Sequence, residues 1–142
     1  IDRHYWKHSP TGLVDTEGGL YLAARDLAKI GYLVLKNGVW DGKAIVPADW
    51  IRESTTPSVK VSGTDMQYGY KWWLIPYAMK ESSLAFCGLG FGGQRAIVMQ
   101  DLNIVLVFTG WNLLPDRPSL SARDAIDRVL DAVRDRQLRR PN

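Results

Sequence analysis

The chain has little of three things that identify many classes of protein: cysteine, histidine and long apolar runs. Its single cysteine, Cys87, excludes an internal disulfide. Only His4 and His8 accompany that cysteine, so no metal-ligand spacing is present. The longest strongly apolar run, residues 104–108, is far shorter than the roughly 20 residues of a membrane-spanning helix. The sequence therefore predicts no metal site, no cofactor and no membrane span.

The chain also has no large excess of charge of one sign. Lys and Arg number 18 against 15 Asp and Glu, which leaves a net charge of +3. No lysine-rich stripe with interleaved aromatic residues is present, so we expect no nucleic-acid partner. The basic residues at the end of the chain are interpreted as a solvated helix end, because cations suit the C-terminal end of a helix dipole. They are Arg134, Arg136, Arg139 and Arg140.

The length of the chain, 142 residues, and its 46% hydrophobic content are typical of one globular domain with a sizeable core. No signal peptide is visible. The chain begins with Ile1, in a segment that resembles the interior of a domain. We therefore expect a piece of a longer protein, and its localisation stays unknown.

The most informative segment is residues 88–94, Gly-Leu-Gly-Phe-Gly-Gly-Gln, followed by two apolar stretches at 96–99 and 104–108. Four glycines in seven residues are costly in backbone entropy. They are expected where a chain turns sharply or where backbone must lie close to a ligand. The segment therefore indicates either a plain hairpin turn or a strand end that presents N–H groups to a substrate.

Helical periodicity predicts a first helix from about Ala23, ended by Asn37-Gly38 in a left-handed C-cap. Asp41-Gly42 predicts a two-residue hairpin, and Pro47 predicts the first turn of a second helix over residues 47–53. Residues 1–19 and 54–67 are interpreted as loops.

Strands are predicted at residues 68–75, 84–87, 94–100 and 104–108. The last is apolar at every position, so we expect it to be covered on both faces and central in a sheet. Ser121 and Asp124 predict the start of a final helix that packs on the sheet. The fold class is therefore α+β, an antiparallel sheet packed with helices, with the whole chain as one unit.

The order of several short segments resembles one family. They are Gly-Gly-Leu-Tyr, Ala-Arg-Asp-Leu-Ala, Trp-Asp-Gly-Lys, Pro-Ala-Asp-Trp, Tyr-Gly-Tyr-Lys-Trp-Trp, Gly-Phe-Gly-Gly-Gln and Val-Phe-Thr. Over roughly residues 5–135 the chain resembles the C-terminal part of the serine β-lactamase-like hydrolases. That family includes class C β-lactamases, D,D-peptidases, esterases and 6-aminohexanoate-dimer hydrolases, and the resemblance implies the C-terminal portion of the β-lactamase/transpeptidase-like fold.

The resemblance implies an acyl-enzyme mechanism in which the serine of Ser-x-x-Lys attacks an amide or ester carbonyl, while the lysine and a tyrosine move protons. This chain contains neither Ser-x-x-Lys nor the family's Tyr-x-Asn. No catalytic residue is therefore assigned here, and a fragment without the nucleophile is expected to be inactive alone.

The family's third element lies on the edge strand, as Lys-Thr-Gly or His-x-Gly, and supplies one oxyanion N–H. Its counterpart here is Gly88, Leu89 and Gly90, with the N–H from Phe91 or a neighbour. Glycine replaces the family's lysine or histidine, which disfavours recognition of a substrate carboxylate. The resemblance therefore implies an esterase or amidase with a small-molecule substrate, rather than a β-lactamase or peptidoglycan enzyme.

Several conspicuous residues have ordinary structural interpretations. Trp72 and Trp73 face opposite ways if they lie on a strand, so at most one lines a given site. Cys87 is interpreted as a small apolar strand residue. His4 and His8 are interpreted as surface histidines. Glu17 is either a solvated carboxylate or a residue that orients a loop near the active site.

Two further hypotheses remain open. The aromatic stretch at residues 68–73 and the six tryptophans fit a non-catalytic module that binds glycans or another ligand. If upstream elements are missing, apolar surface that they cover is exposed, and self-association is expected.

Overall fold

The computed structural model describes residues 1–110, Leu114 and 120–138. Three helices are present in this part: α1 (Ala24–Leu35), α2 (Ala48–Ser54) and α3 (Ala122–Leu138). The strands are β1 (His4–Trp6), β2 (Leu20–Leu22), β3 (Val39–Trp40), β4 (Lys43–Ala44), β5 (Val59–Lys60), β6 (Gln67–Tyr68), β7 (Trp73–Pro76), β8 (Leu84–Gly90), β9 (Gln94–Met99) and β10 (Ile104–Phe108). None of the described helices is long and apolar enough to cross a membrane.

Six strands form one antiparallel sheet in the order β10-β9-β8-β7-β6-β5. Each strand pairs with the one before it in sequence, so the sheet is a meander. Two smaller ribbons, β1-β2 and β3-β4, lie outside this sheet. The α+β class predicted from the sequence is confirmed.

Helices cover both faces of the sheet. On one face, α3 packs Ile126 and Leu130 against a cluster that includes Cys87 and Ile97. We call this the α3 face. On the other face, here the α1/α2 face, Val34 and Ile51 pack against a cluster formed by Leu74, Phe86 and Val98. The alternation of a strand's side chains explains why neighbouring residues of β7, β8 and β9 enter different clusters.

The local signals in the first half of the chain form as predicted. After α1, Asn37 and Gly38 have φ values of 51° and 86°, and a Cβ on Gly38 would lie 1.9 Å from the Val46 carbonyl oxygen. Asp41 and Gly42 have φ values of 47° and 73° in the β3-β4 hairpin. Gly31 lets α1 lie close to the sheet, because a Cβ there would lie 2.6 Å from Val105.

The predicted helix cap at the start of α3 is also present. Ser121 Oγ donates to the Asp124 carboxylate at 2.7 Å and accepts from the Asp124 backbone N–H at 3.0 Å. Of the basic residues predicted at a solvated helix end, Arg134 and Arg136 are exposed. Arg139 and Arg140 lie outside the described residues.

Three predictions for strands and loops are wrong. Residues 68–75 form two strands with a bend between them, because Gly69 and Tyr70 pack on the end of α2. A Cβ on Gly69 would lie 2.3 Å from the Ser54 carbonyl oxygen, and Lys71 has a φ of 64°. Both predicted loops contain strands: β1 in residues 1–19, and β5 with the first residue of β6 in residues 54–67.

The position of β10 also differs from the prediction. Among the described strands only β9 pairs with it, so β10 lies at an edge of the sheet. Its apolar run instead reflects coverage of both faces, which was predicted. Val105 contacts the cluster on the α1/α2 face, and Leu106 and Phe108 contact the cluster on the α3 face.

Candidate functional site

The glycine segment occupies the end of β8 that extends beyond β7. The pairing of β7 with β8 stops at Cys87, which lies opposite Trp73. The pairing of β8 with β9 continues through Gly88, Leu89 and Gly90. These three residues therefore have a strand neighbour on one side only among the described residues, and they form the open end of β8.

The open end has backbone groups available for a ligand. Successive residues of an antiparallel strand direct their N–H and C=O groups to alternate sides. Three consecutive residues must therefore direct at least one such pair of groups away from β9. This is the geometry that an edge strand needs to bind a carbonyl oxygen through backbone N–H groups.

The turn itself begins three residues after the start of the glycine segment. The backbone stays extended through Gly90, and a short 3₁₀ turn spans Phe91–Gly93. Gly92 and Gly93 have φ values of 73° and 97°, a region that favours glycine. The Phe91 side chain is 84% exposed at the tip of this turn.

One of the four glycines has no structural reason to be glycine. Gly92 and Gly93 need positive φ, and a Cβ on Gly90 would lie 2.8 Å from the Gln94 Cβ. A Cβ on Gly88 would meet nothing closer than Ala96 at 3.9 Å, an ordinary contact. The fold therefore accepts a Cβ at Gly88, and the absence of one leaves space beside the strand.

That open space faces the α1/α2 side of the sheet. Gly88 has the same orientation as Phe86, two residues earlier, which packs on that face. Leu89 has the opposite orientation and packs with Cys87 on the α3 face. The predicted residues thus lie together, with Gly88 and Leu89 on different faces of the sheet.

Two side chains at the start of β9 hold the turn. Gln94 Nε2 donates to the carbonyl of Gly110, just beyond β10. Arg95 Nη1 donates to the carbonyl oxygens of Gly90 at 3.0 Å and Gln94 at 2.9 Å. Sequence reasoning missed both residues, although they directly follow the glycine segment, because their contacts depend on the conformation of the turn.

The two tryptophans after the bend lie on opposite sides of the sheet, as expected for strand neighbours. Trp73 packs against the cluster on the α3 face, and Trp72 against the cluster on the α1/α2 face. Both are partly buried, which fits the interpretation that at least one belongs to the core.

Cys87 is a core residue, as interpreted from the sequence. It is 0% exposed, and burial raises the pKa of its thiol to about 12. A thiol with that pKa is protonated at neutral pH and is no nucleophile. His4, His8 and Glu17 are exposed. No group of described residues could hold a metal ion.

A cluster of Tyr77, Lys80, Ser83 and Asp101 has the residue types of a Ser-Lys-Tyr hydrolase but a structural role. The Asp101 carboxylate accepts from Ser83 Oγ at 2.7 Å, Lys80 Nζ at 2.8 Å and the Tyr77 hydroxyl at 3.1 Å. Ser83 is only 3% exposed. Because its hydroxyl is buried and bound to a carboxylate, this serine cannot reach a substrate.

The Asp101 cluster stabilises the fold and does not form a site. The hydrogen bonds from Lys80 and then Ser83 hold the pKa of Asp101 below its usual range. Burial, reinforced by the negative charge of Asp101, raises the pKa of Tyr77 to about 12. The cluster joins the segment before β8 to the turn between β9 and β10, at the end of β8 away from the glycines.

A groove of about 570 Å³ also lies at that far end, lined by α2 residues together with Leu84 and Phe86 of β8. Its lining does not include the open end of β8, so the groove is separate from the candidate site.

No family model matches the chain. Among solved structures, the chain is similar to one named "Putative 6-aminohexanoate-dimer hydrolase from Bacillus anthracis", with a TM-score of 0.72 and 24% sequence identity. The match covers 98% of this chain and 35% of the other, so the chain spans about a third of that neighbour's length. The likeness shows that the helix-covered antiparallel sheet is a fold also found in a protein named as a hydrolase.

Proposed function

We propose that the chain is the C-terminal part of a β-lactamase-like serine hydrolase that cleaves amide or ester bonds through an acyl-enzyme. In this proposal the chain supplies the oxyanion side of the active site, with Gly88, Leu89, Gly90 and Phe91. The nucleophilic serine, the lysine and the tyrosine come from polypeptide outside these residues. The fold match supports this division, since two-thirds of the neighbour lies outside the matched part.

The observation on which the proposal rests is the open end of β8. Gly88 leaves space beside the strand where the fold itself accepts a Cβ, and beyond Cys87 the strand pairs with β9 but no longer with β7. A substrate carbonyl placed there can accept a backbone N–H from Phe91 or a neighbour. Removal of one such donor typically raises the barrier by about 2.7–4 kcal/mol.

The substrate class follows from what surrounds that end of the strand. By the family resemblance, Gly88 occupies the position of the family's lysine or histidine, and the nearby Arg95 guanidinium is bound to backbone carbonyls. We therefore propose an uncharged ester or amide at this position.

A fluorophosphonate probe followed by intact-mass measurement tests this proposal. The 142-residue chain should gain no adduct, whereas the longer gene product should gain one, on a serine before Ile1. An adduct on the 142-residue chain, or a gene product of only these residues, would contradict the proposal. Gly88→Ala in the longer protein should lower turnover of p-nitrophenyl acetate at unchanged stability, and Val39→Ala serves as a remote control.

A second candidate function is the binding of glycans, which one observation supports. Trp50 and Tyr70 form an aromatic pair with ring centroids 5.8 Å apart, and both are about half exposed. Tyr70 also lines an open pocket of about 410 Å³ with Asp49, Arg52, Glu53 and Ser58. An aromatic face beside several hydrogen-bonding groups suits a sugar ring.

Tryptophan fluorescence distinguishes this candidate. A saturable change on titration with cell-wall oligosaccharides, lost in Tyr70→Ala and kept in Tyr32→Ala, would support glycan binding. A flat titration of the unaltered chain would eliminate it.

We also propose that the isolated chain self-associates. The outer edge of β10 has no described strand partner, and the β1-β2 ribbon with the segment that joins its strands exposes Tyr5, Leu13 and Tyr21 by 58–71%. A two-stranded ribbon with so little cover is only marginally stable alone. Light scattering should give a mass above 16.0 kDa that rises with concentration; a constant monomer mass would contradict this.

A further inference from the structure

Arg95 contacts the backbone on both sides of the glycine turn. Its Nη1 donates to the Gly90 carbonyl at 3.0 Å and to the Gln94 carbonyl at 2.9 Å. Its Nε is buried and makes no hydrogen bond to any described residue. An unpaired buried donor is unfavourable, so the position of this guanidinium does not maximise its own hydrogen bonds.

The contact with Gly90 also determines where the next N–H points. The carbonyl of Gly90 and the N–H of Phe91 belong to one peptide group, which is planar and trans. In a trans peptide the C=O and the N–H point in opposite directions. While Arg95 holds the Gly90 oxygen, the Phe91 N–H is therefore directed away from the guanidinium.

The direction of this N–H follows from the strand geometry. Gly90 is extended, with φ −109° and ψ 159°, and in extended backbone the C=O and N–H groups lie roughly in the plane of the sheet. With the Gly90 oxygen bound by Arg95, the Phe91 N–H is therefore directed to the opposite side of the strand from that oxygen.

We propose that Arg95 is a positioning residue that keeps the peptide group between Gly90 and Phe91 in one orientation, with its N–H directed away from the guanidinium. Such a constraint is needed because glycine rotates freely, so this peptide group could otherwise flip and present its carbonyl instead. A carbonyl at that place would repel an oxyanion. The role of this N–H in turnover rests on the proposed function, whereas the orientation itself does not.

NMR of the 142-residue chain tests the orientation without any activity. With ψ of Gly90 at 159°, its Hα atoms lie close to the Phe91 amide hydrogen and give a strong sequential NOE. In Arg95→Met this NOE should weaken, or a second Phe91 amide signal should appear. Arg134→Met is the matched control, because Arg134 Nη2 also donates to a backbone carbonyl, that of Ala78 at 3.4 Å, far from the turn.

An unchanged NOE and a single Phe91 signal in folded Arg95→Met would overturn the proposal. If Arg95→Met does not fold, Arg95→Gln gives the decision, because it keeps a polar side chain at this position and removes the guanidinium. A weakened NOE or a second Phe91 signal there supports the proposal, and an unchanged spectrum overturns it.

Turnover by the longer gene product separates this inference from the proposed function. Arg95→Met should lower kcat for p-nitrophenyl acetate by about 10²- to 10³-fold with little change in KM, as loss of an oxyanion donor does. Arg95→Lys should restore part of that loss. If the NOE responds while the gene product hydrolyses no ester and takes no fluorophosphonate, the orientation stands and the proposed function fails.

Discussion

Both halves of β8 are extended strand, but their surroundings differ. We call Leu84–Cys87 the covered half and Gly88–Gly90 the open half, because the pairing with β7 stops at Cys87. From Leu84 to Cys87 the strand pairs with β7, from Phe86 onward it also pairs with β9, and Ala85, Phe86 and Cys87 are at most 9% exposed. From Gly88 to Gly90 it pairs with β9 alone among the described strands. The first half is therefore fixed by packing between two strands, whereas the second depends on its pairing with β9 and on the Arg95 and Gln94 side chains that hold the turn.

This difference shows that a strand can stay extended where it is no longer buried in the core. A side chain in the covered half packs against its neighbours, so its removal lowers the free energy of unfolding by the lost packing energy. In the open half and the turn after it, positive φ values and the closeness of Gln94 explain three glycines, and only Gly88 lacks such an explanation. Substitutions along β8 should therefore have effects on stability that fall sharply after Cys87.

The largest effect is expected in the covered half. Phe86→Ala should lower the free energy of unfolding by about 3–5 kcal/mol, because it leaves a cavity among Val34, Ile51, Leu74 and Val98. Urea denaturation followed by tryptophan fluorescence measures it. A loss below about 1 kcal/mol would mean that the covered half is not packed as described.

At the end of the open half, Gly90→Ala should lower the free energy of unfolding by about 1–3 kcal/mol. The new Cβ would lie 2.8 Å from the Gln94 Cβ, so the turn must shift. The same urea titration applies, and a neutral result would remove the steric explanation for this glycine.

Asp101 braces the covered half at its start, and its substitution has a pH signature. Asp101→Asn should lower the free energy of unfolding by about 1–2 kcal/mol at pH 7. Because the pKa of Asp101 is lowered in the folded chain, its stabilisation is present above the unfolded pKa of about 4 and is lost as pH falls through the folded value. Urea titrations at several pH values should show the two chains converging in acid; a difference that is constant with pH would contradict this.

The smallest effect is expected at Gly88. Gly88→Ala should leave the free energy of unfolding unchanged or raise it by about 0.4–1 kcal/mol, since alanine restricts the unfolded chain and meets no close neighbour. A loss above about 1 kcal/mol would show that this glycine serves the fold. Gly88 would then offer no argument for a ligand.

Much of the fold could be predicted from local signals in the sequence. The periodicity of α1, the Asp41-Gly42 turn and the Ser121 cap each act within a few residues, and all are present. The failures involve distant partners. The bend after Tyr68 depends on the Ser54 carbonyl, and the edge position of β10 depends on which strands pair with it.

In the candidate site, too, local features were predicted and contacts that depend on the folded chain were not. Glycine content and the order of family segments singled out residues 88–91, and their role stays a prediction. Arg95 could not be found this way, because its bond to Gly90 exists only once the turn has formed. The Asp101 cluster joins residues 18 to 24 positions apart, and no spacing in the sequence indicates it.

The position of Cys87 gives the chain a built-in reporter. It is the last residue of the covered half, it is 0% exposed, and the structure describes no other thiol. A thiol reagent can therefore react only when this part of the sheet opens, and the rate of its reaction measures how often that happens. Ligand binding at Gly88, one residue away, would register as slower labelling of a single sulfur atom.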